Sequence, residues 1–197
     1  MKTWTLNNHT LEFISETHQY LCDGELVPCV SDLLKCKFDD YNNVSKRVLD
    51  NAAKLGTEMH KAIELYETDG TQSDLKELRN YLFLKRAKGF ENLQNEIPII
   101  YEESGRVLYA GTMDQLFRTA DGKLGINDFK RVATPNKEKI AYQLNLYKLG
   151  YECTYKNKIE VLTFMHLRGD KRKIYYLPID ESLTRQLIKS FYKGEIR

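Results

Sequence analysis

An α/β fold, a central mixed sheet flanked by helices, is expected from three features of the chain. Apolar residues recur at helical spacing through the first half of the chain, as Val48, Ala52, Leu55, Met59, Ile63 and Tyr66. Three consecutive stretches of strand length follow, at 97–101, 107–117 and 124–129. Helix and strand patterns then alternate to the end, which is the signature of helices layered on a sheet.

The first thirty residues read as an entry hairpin, with apolar Leu11, Phe13, Tyr20 and Leu21, an Asp23-Gly24 turn and a stop at Pro28. Ser31 is the expected N-cap of a short helix beginning at Asp32. A long helix is expected from Val44 to about Asp69, where Gly56 marks a kink or a close packing contact. A second runs from about Ser73 to Phe90, with Leu75, Leu78 and Leu82 facing inward.

Asp121-Gly122 supplies a tight turn between the second and third strands, so those two form an antiparallel hairpin. A helix over 136–155, strands over 159–167 and 173–179, and a last helix carrying Leu183, Leu187, Ile188 and Phe191 complete the chain. Within one domain spanning 1–197, this divides the chain into a hairpin and short helix (1–43), a helical section (44–92) and a sheet with its flanking helices (93–197).

Composition narrows the class. With 42% hydrophobic and 29% charged residues in 197, the chain has the balance of a folded globular protein with one core. No apolar run reaches the ~18 residues that a membrane helix needs, and no signal-peptide pattern opens the chain, so a cytoplasmic location without membrane association is expected. Cys22, Cys29, Cys36 and Cys153 are too scattered for a disulfide framework, and reduced thiols are expected. A net charge of +2 excludes a global electrostatic argument for nucleic acid, leaving only local basic clusters such as Lys130-Arg131.

The sharpest chemistry lies on the hairpin, with Gly111-Thr112-Met113-Asp114 on one strand and Asn127-Asp128-Phe129-Lys130 on the next. Side chains at i and i+2 share a face of a strand, so Asp128 and Lys130 point together and Phe129 points away. Two carboxylates beside one ammonium are costly unless a cation neutralises them, and a hard divalent ion does so. Such an ion suits phosphodiester hydrolysis, with Lys130 orienting water or stabilising charge on phosphoryl oxygens. Taken alone, an Asp-x-Lys string equally fits an ion pair at a sheet edge.

Other residues add to the pattern. His60, preceded by Gly56-Thr57, offers an imidazole from the long helix, with Glu64 one turn further on the same face. Alternation lets one of Glu102 and Glu103 face the hairpin's acidic side. Gln143 and Tyr147, four apart, put an amide and a phenol on one helical face.

Four motifs in this order, Gly56-Thr57-x-x-His60, Gly111-Thr112-x-Asp114, Asp128-x-Lys130 and Gln143-x-x-x-Tyr147, resemble the RecB-like, phage-type branch of the PD-(D/E)XK nucleases. The segment from Glu16 to Ser31 is similar to the N-terminal hairpin of phage-type members. The resemblance spans about Phe13 to Ile179 and implies a PD-(D/E)XK, restriction-endonuclease-like core with an N-terminal β-hairpin and helical section.

That resemblance implies a Mg2+- or Mn2+-dependent deoxyribonuclease, exonuclease or endonuclease, acting in phage-like recombination, replication or repair. It implies His60, Asp114, Asp128 and the Phe129 carbonyl as metal ligands and Lys130 as the catalytic lysine. It implies Glu102, with Glu103 as the alternative, as the first-strand acid, and Gln143, Tyr147 and Arg131 as DNA contacts. Some relatives carry an iron–sulfur cluster on one early and three late cysteines. This chain has only Cys153 late, so none is expected, and the three early cysteines have no histidine pattern beside them to suggest zinc.

The expected partners are DNA, a recombination partner or helicase, and further copies of the chain. A different class, a silent nucleic-acid-binding or assembly module on the same fold, is disfavoured because it needs no full set of acids and lysine. A nuclease subunit active only within a helicase complex is the third reading. No Gly-x-x-x-x-Gly-Lys loop is present, so any motor is a separate chain.

Overall fold

The computed structural model describes residues 1–38 and 45–194. The expected helix start at Val44, and the expected boundary between the first two sections, lie outside the described residues.

The first thirty residues form more than one hairpin. β1 (Lys2–Leu6), β2 (His9–Ile14), β3 (Gln19–Cys22) and β4 (Glu25–Val27) make a four-stranded antiparallel sheet in sequence order. Asp23-Gly24 turns β3 into β4 as expected. The unread turn is Asn7-Asn8, where both residues are left-handed, φ 48° and 68°. A two-residue hairpin loop needs positive φ at both positions, and asparagine tolerates it better than most residues.

α1 (Val30–Lys35) starts before Ser31, because Asp32 accepts the Cys29 backbone N–H at 3.0 Å and makes Cys29 the cap. α2 (Lys46–Asp69) runs without interruption past Gly56, at which an added Cβ would meet nothing within 4 Å. Neither a kink nor a packing contact accounts for that glycine. α3 (Lys76–Lys88) is tied to α2 through Glu67, whose carboxylate holds Lys85 Nζ at 2.7 Å and accepts the Tyr81 hydroxyl at 2.9 Å.

β5 (Glu91–Glu103), β6 (Arg106–Arg118), β7 (Leu124–Lys130), β8 (Val161–Arg168) and β9 (Lys171–Leu177) form a five-stranded mixed sheet in that order. β5 pairs β6 and β6 pairs β7 antiparallel, β7 pairs β8 in parallel, and β8 pairs β9 antiparallel. The parallel step needs a crossover, and α4 (Lys137–Tyr155) supplies it, capped by Asn136, which accepts the Lys139 N–H at 3.1 Å. α5 (Glu181–Gly194) follows β9. The α/β class and the mixed sheet flanked by helices are therefore as expected. The strands are longer than their apolar runs, most of all β5, which starts six residues before Ile97.

Helices cover both faces of this sheet. α1, α4 and α5 pack on one through Val30, Leu33, Leu144, Tyr147 and Leu187, against Ile97, Tyr109, Ile126 and Phe164. α2 and α3 cover the other through Met59, Ile63, Leu78 and Tyr81, against Phe117, Phe129, Met165 and Leu167. A Cβ at Gly150 would lie 2.5 Å from Ile99 Cδ1, so glycine lets α4 lie close on β5. The N-terminal sheet makes a third, smaller core, Leu6, Leu11, Tyr20 and Cys22 packing on Ile100 and Ala110. Among the described residues no helix is long and apolar enough to cross a membrane.

Candidate active site

The β6–β7 ladder stops at the pair Gln115–Asn127. One step further, where the strands splay, stand Asp114 and Asp128. Asp114 replaces the missing ladder bond with its side chain, Oδ2 accepting the Phe129 N–H at 2.8 Å. Asp128 is 2% exposed, and Lys130, two residues on and on the same face, places Nζ at 2.8 Å from Oδ1 and 2.7 Å from Oδ2. The ammonium straddles the carboxylate, yet Oδ2 makes no directed hydrogen bond and stays an orphaned buried acceptor. Burial raises the Asp128 carboxyl above its ordinary range, Lys130 opposes that, and Asp114 adds to it.

His60 reaches this point from α2. Its Nδ1 lies 3.5 Å from Asp114 Oδ1, its Nε2 lies 3.2 Å from the Phe129 carbonyl oxygen, and its ring meets the Phe129 ring edge to face. The Phe129 carbonyl, implied as a metal ligand, faces the imidazole here.

The acid of β5 that stands beside Asp114 is Glu96, and neither Glu102 nor Glu103 is placed there. Pairs Ile97–Met113 and Asn95–Gln115 bracket Glu96 against Asp114. One ligand atom from each of His60, Glu96 and Asp114 lies within 4.8 Å of the others. Burial is the main cause that pushes the Glu96 carboxyl up to about 7; the Asp114 carboxylate adds to it and His60 opposes it. Glu96 is also left-handed, φ 52°, inside a strand, a conformation that costs a non-glycine residue about 1 kcal/mol or more and collects at functional sites.

Glu102, six residues further along β5, lies about 20 Å away at strand rise. There it faces His9, Oε2 at 3.5 Å from Nε2, and its backbone N–H points to Cys153 Sγ at 3.4 Å. Glu103 lies at the same end, accepting a long hydrogen bond from Tyr101.

The sequence signal falls one residue short of Glu96. Ser104-Gly105 is a two-residue turn with φ 54° and 78°, and counting back from it sets Asn95 opposite Asp114. A register shift at Tyr101/Glu102 moves the pairing by one residue and brings Glu96 there instead.

Arg131 is turned away. As the neighbour of Lys130 it takes the other direction, and its Nε donates to Glu77 Oε1 of α3 at 2.8 Å. Glu77 is 5% exposed and also accepts the Gly169 N–H, so Arg131 neutralises a buried carboxylate. The expected DNA contact at this residue is replaced by a structural ion pair.

Gln143 and Tyr147 do reach the site. Both border the same cavity, of about 640 Å³, as His60, Glu96, Asp114, Asp128 and Lys130, and Gln143 Nε2 points to the Tyr147 hydroxyl at 3.4 Å. Burial holds the Tyr147 phenol well above its ordinary pKa, hence neutral. Gly111 makes room for it, since a Cβ there would meet Tyr147 Cε1 and Val30 Cγ2, each at 3.1 Å. Thr112 Oγ1 meets the Tyr20 hydroxyl at 2.8 Å, docking the N-terminal sheet beside the site. Glu64 lines the cavity too, paired with Lys61 at 3.0 Å.

The residues fit a hard divalent cation. Three ligand-bearing side chains converge, and a third carboxylate, Asp128, lies buried beside them with one oxygen that accepts no directed hydrogen bond; burial, with carboxylate repulsion adding to it, raises the Glu96 and Asp128 carboxyls, and a cation offsets both. Cys22 has a different setting from the one its sequence neighbours suggest, because folding brings His9 and Asp23 to it, ligand atoms again within 4.8 Å. That group is internally bonded: His9 Nδ1 lies 2.6 Å from Asp23 Oδ2, Asp23 Oδ1 accepts the Thr10 N–H, and burial pushes the Cys22 thiol up to about 11.

No protein-family model and no curated protein matches the chain. Among solved structures it is similar to one described as the crystal structure of SSO0001, at 18% identity and a TM-score of 0.45, over 85% of this chain and 76% of that one.

Proposed function

We propose that this chain is a divalent-metal-dependent deoxyribonuclease built on a PD-(D/E)XK core. The observation that carries the reading is the convergence of His60, Glu96 and Asp114 within 4.8 Å, beside a buried Asp128 that holds Lys130. A structural ion-pair cluster does not need three acids. Asp128 with Lys130 alone satisfies charge, whereas Glu96 and Asp114 add negative charge at a cost.

In this reading His60, Glu96, Asp114 and Asp128 hold Mg2+ or Mn2+. When bound there, such an ion would supply Lewis-acid charge to the scissile phosphate and lower the pKa of a water. Lys130, fixed by both Asp128 oxygens, keeps its ammonium in the cavity to orient the attacking water and balance charge on the phosphoryl oxygens. The oxygen–phosphorus bond to water would form as the bond to the leaving sugar oxygen breaks, the water's proton passing to solvent and the leaving oxygen taking a proton from solvent to become a hydroxyl. Gln143 offers an amide to a phosphate oxygen, and Tyr147 backs it as a neutral phenol.

The test incubates the protein with linear, circular and single-stranded DNA under Mg2+ or Mn2+, with chelator and with Asp114→Ala and Lys130→Ala as controls. Cutting that needs metal and disappears in both variants is expected. Absence of cutting under either metal, or metal-dependent cutting that survives both substitutions, overturns the reading.

A further inference from the structure

From the aromatic face that the N-terminal sheet holds over the acidic cluster, we infer that the substrate enters as unpaired DNA, its bases stacked on Trp4 and Phe13. This rests on the nuclease reading and names the strand form the site takes.

Alternation and cross-strand register put Lys2, Trp4, Leu6, Leu11, Phe13, Tyr20 and Cys22 on one face of that sheet, with Lys2 opposite Phe13, Trp4 opposite Leu11 and Phe13 opposite Tyr20. The face has two ends. At one, Leu6, Leu11 and Cys22 are buried on Ile100 and Ala110. At the other, Trp4 and Phe13 are half-buried and Lys2 is exposed, and all three line the cavity that holds the acids and Lys130. Trp4 and Phe13 therefore pack on the edge of this small core and, half-buried, also form part of the cavity wall.

This wall is held firmly. The Phe13 ring lies 4.8 Å from the buried Tyr20 ring and 5.1 Å from His18, and Tyr20 is hydrogen-bonded to Thr112 of the site strand. Across the cavity, α2 presents Ala53, Gly56 and Thr57. Glycine in a helix interior costs about 1 kcal/mol, and packing gives Gly56 no reason to be there. Clearance opposite the rings does, because the small wall leaves a passage between α2 and the aromatic face. Lys2 and Lys61 stand on the two walls of this passage and match a phosphate backbone.

A ring stacks only on a base whose face is free, and duplex bases cover one another's faces except at the ends. A cavity of about 640 Å³ has room for a nucleotide or two beside the rings.

Trp4 is the only tryptophan, so its fluorescence reports on this wall alone. The full chain is titrated in Ca2+ with a thymidine 12-mer and with a closed, fully paired DNA dumbbell. Saturable quenching by the single strand is expected, with affinity for the dumbbell at least tenfold weaker. Phe13→Leu, which keeps an apolar side chain in the sheet and removes the ring face, is expected to weaken single-strand binding about tenfold. Binding with unchanged Trp4 emission and unchanged affinity in Phe13→Leu overturns the stacking while leaving the nuclease intact. Equal affinity for the dumbbell overturns the unpaired substrate. Absence of binding to either DNA, together with absence of cutting under Mg2+ or Mn2+, overturns the nuclease reading itself.

Discussion

Glu96 stands opposite Asp114 across β5 and β6, in a left-handed conformation at φ 52°, with its carboxyl pushed up to about 7. The relationship puts Glu96 among the clustered acids and leaves Glu102 remote from them. Glu96→Gln is expected to weaken Mn2+ binding by tenfold or more in calorimetry and to remove most DNA cutting. Glu102→Gln, at the His9 end of the strand, leaves both within about twofold. The reverse ranking returns the first-strand acid to Glu102.

The same carboxyl makes stability pH-dependent. Its ordinary pKa is 4.5 and its folded pKa about 7, so the folded chain binds the extra proton between those values. Without metal, stability is highest below 4.5 as far as this group is concerned and declines as pH rises to about 7. Metal needs the ionised form and displaces the proton. The rise in melting temperature on adding Mn2+ is therefore expected to be larger at pH 8 than at pH 6, and Glu96→Gln is expected to flatten that difference.

Arg131 matters for folding. Removing its guanidinium leaves Glu77 buried with only backbone partners, so Arg131→Ala is expected to cost about 2–3 kcal/mol in urea unfolding. At a temperature where the variant is folded, DNA affinity and its salt dependence stay as in the parent. A reduced salt slope with unchanged stability places Arg131 on the DNA instead.

Two helix glycines should respond oppositely to alanine. Gly56→Ala is expected to gain about 1 kcal/mol and raise the melting temperature by about 2–4 °C, since its Cβ meets nothing. Gly150→Ala is expected to lose about 1–3 kcal/mol, since its Cβ would lie 2.5 Å from Ile99 Cδ1. Thermal melts of both variants check the pair, and a destabilised Gly56→Ala removes the argument that packing does not need that glycine.

Much of this architecture was legible in the chain because it depends on local periodicity. The helical recurrence from Val48 to Tyr66, the Asp121-Gly122 turn and the alternation through Ile126, Asp128 and Lys130 each involve neighbours within a few residues, and each appears in the fold at the expected place. Strand ends were harder. β5 extends six residues before its apolar run because pairing with β6, rather than side-chain pattern, sets its length. The Asn7-Asn8 turn went unread because the pattern there is two polar residues that suit loops of many kinds.

Local repeat in the chain specifies the α/β class, the order of its elements after the N-terminal strands, and the local pairs Asp128 with Lys130 and Gln143 with Tyr147, since backbone repeat places side chains two apart on a strand or four apart on a helix. Only the tertiary structure decided that Glu96 faces Asp114, that Arg131 answers Glu77, and that Trp4 and Phe13 share a cavity with the acids. Each of these depends on a shift of one residue in a long strand, or on which surface a sheet is docked against, and neither is a property of adjacent residues.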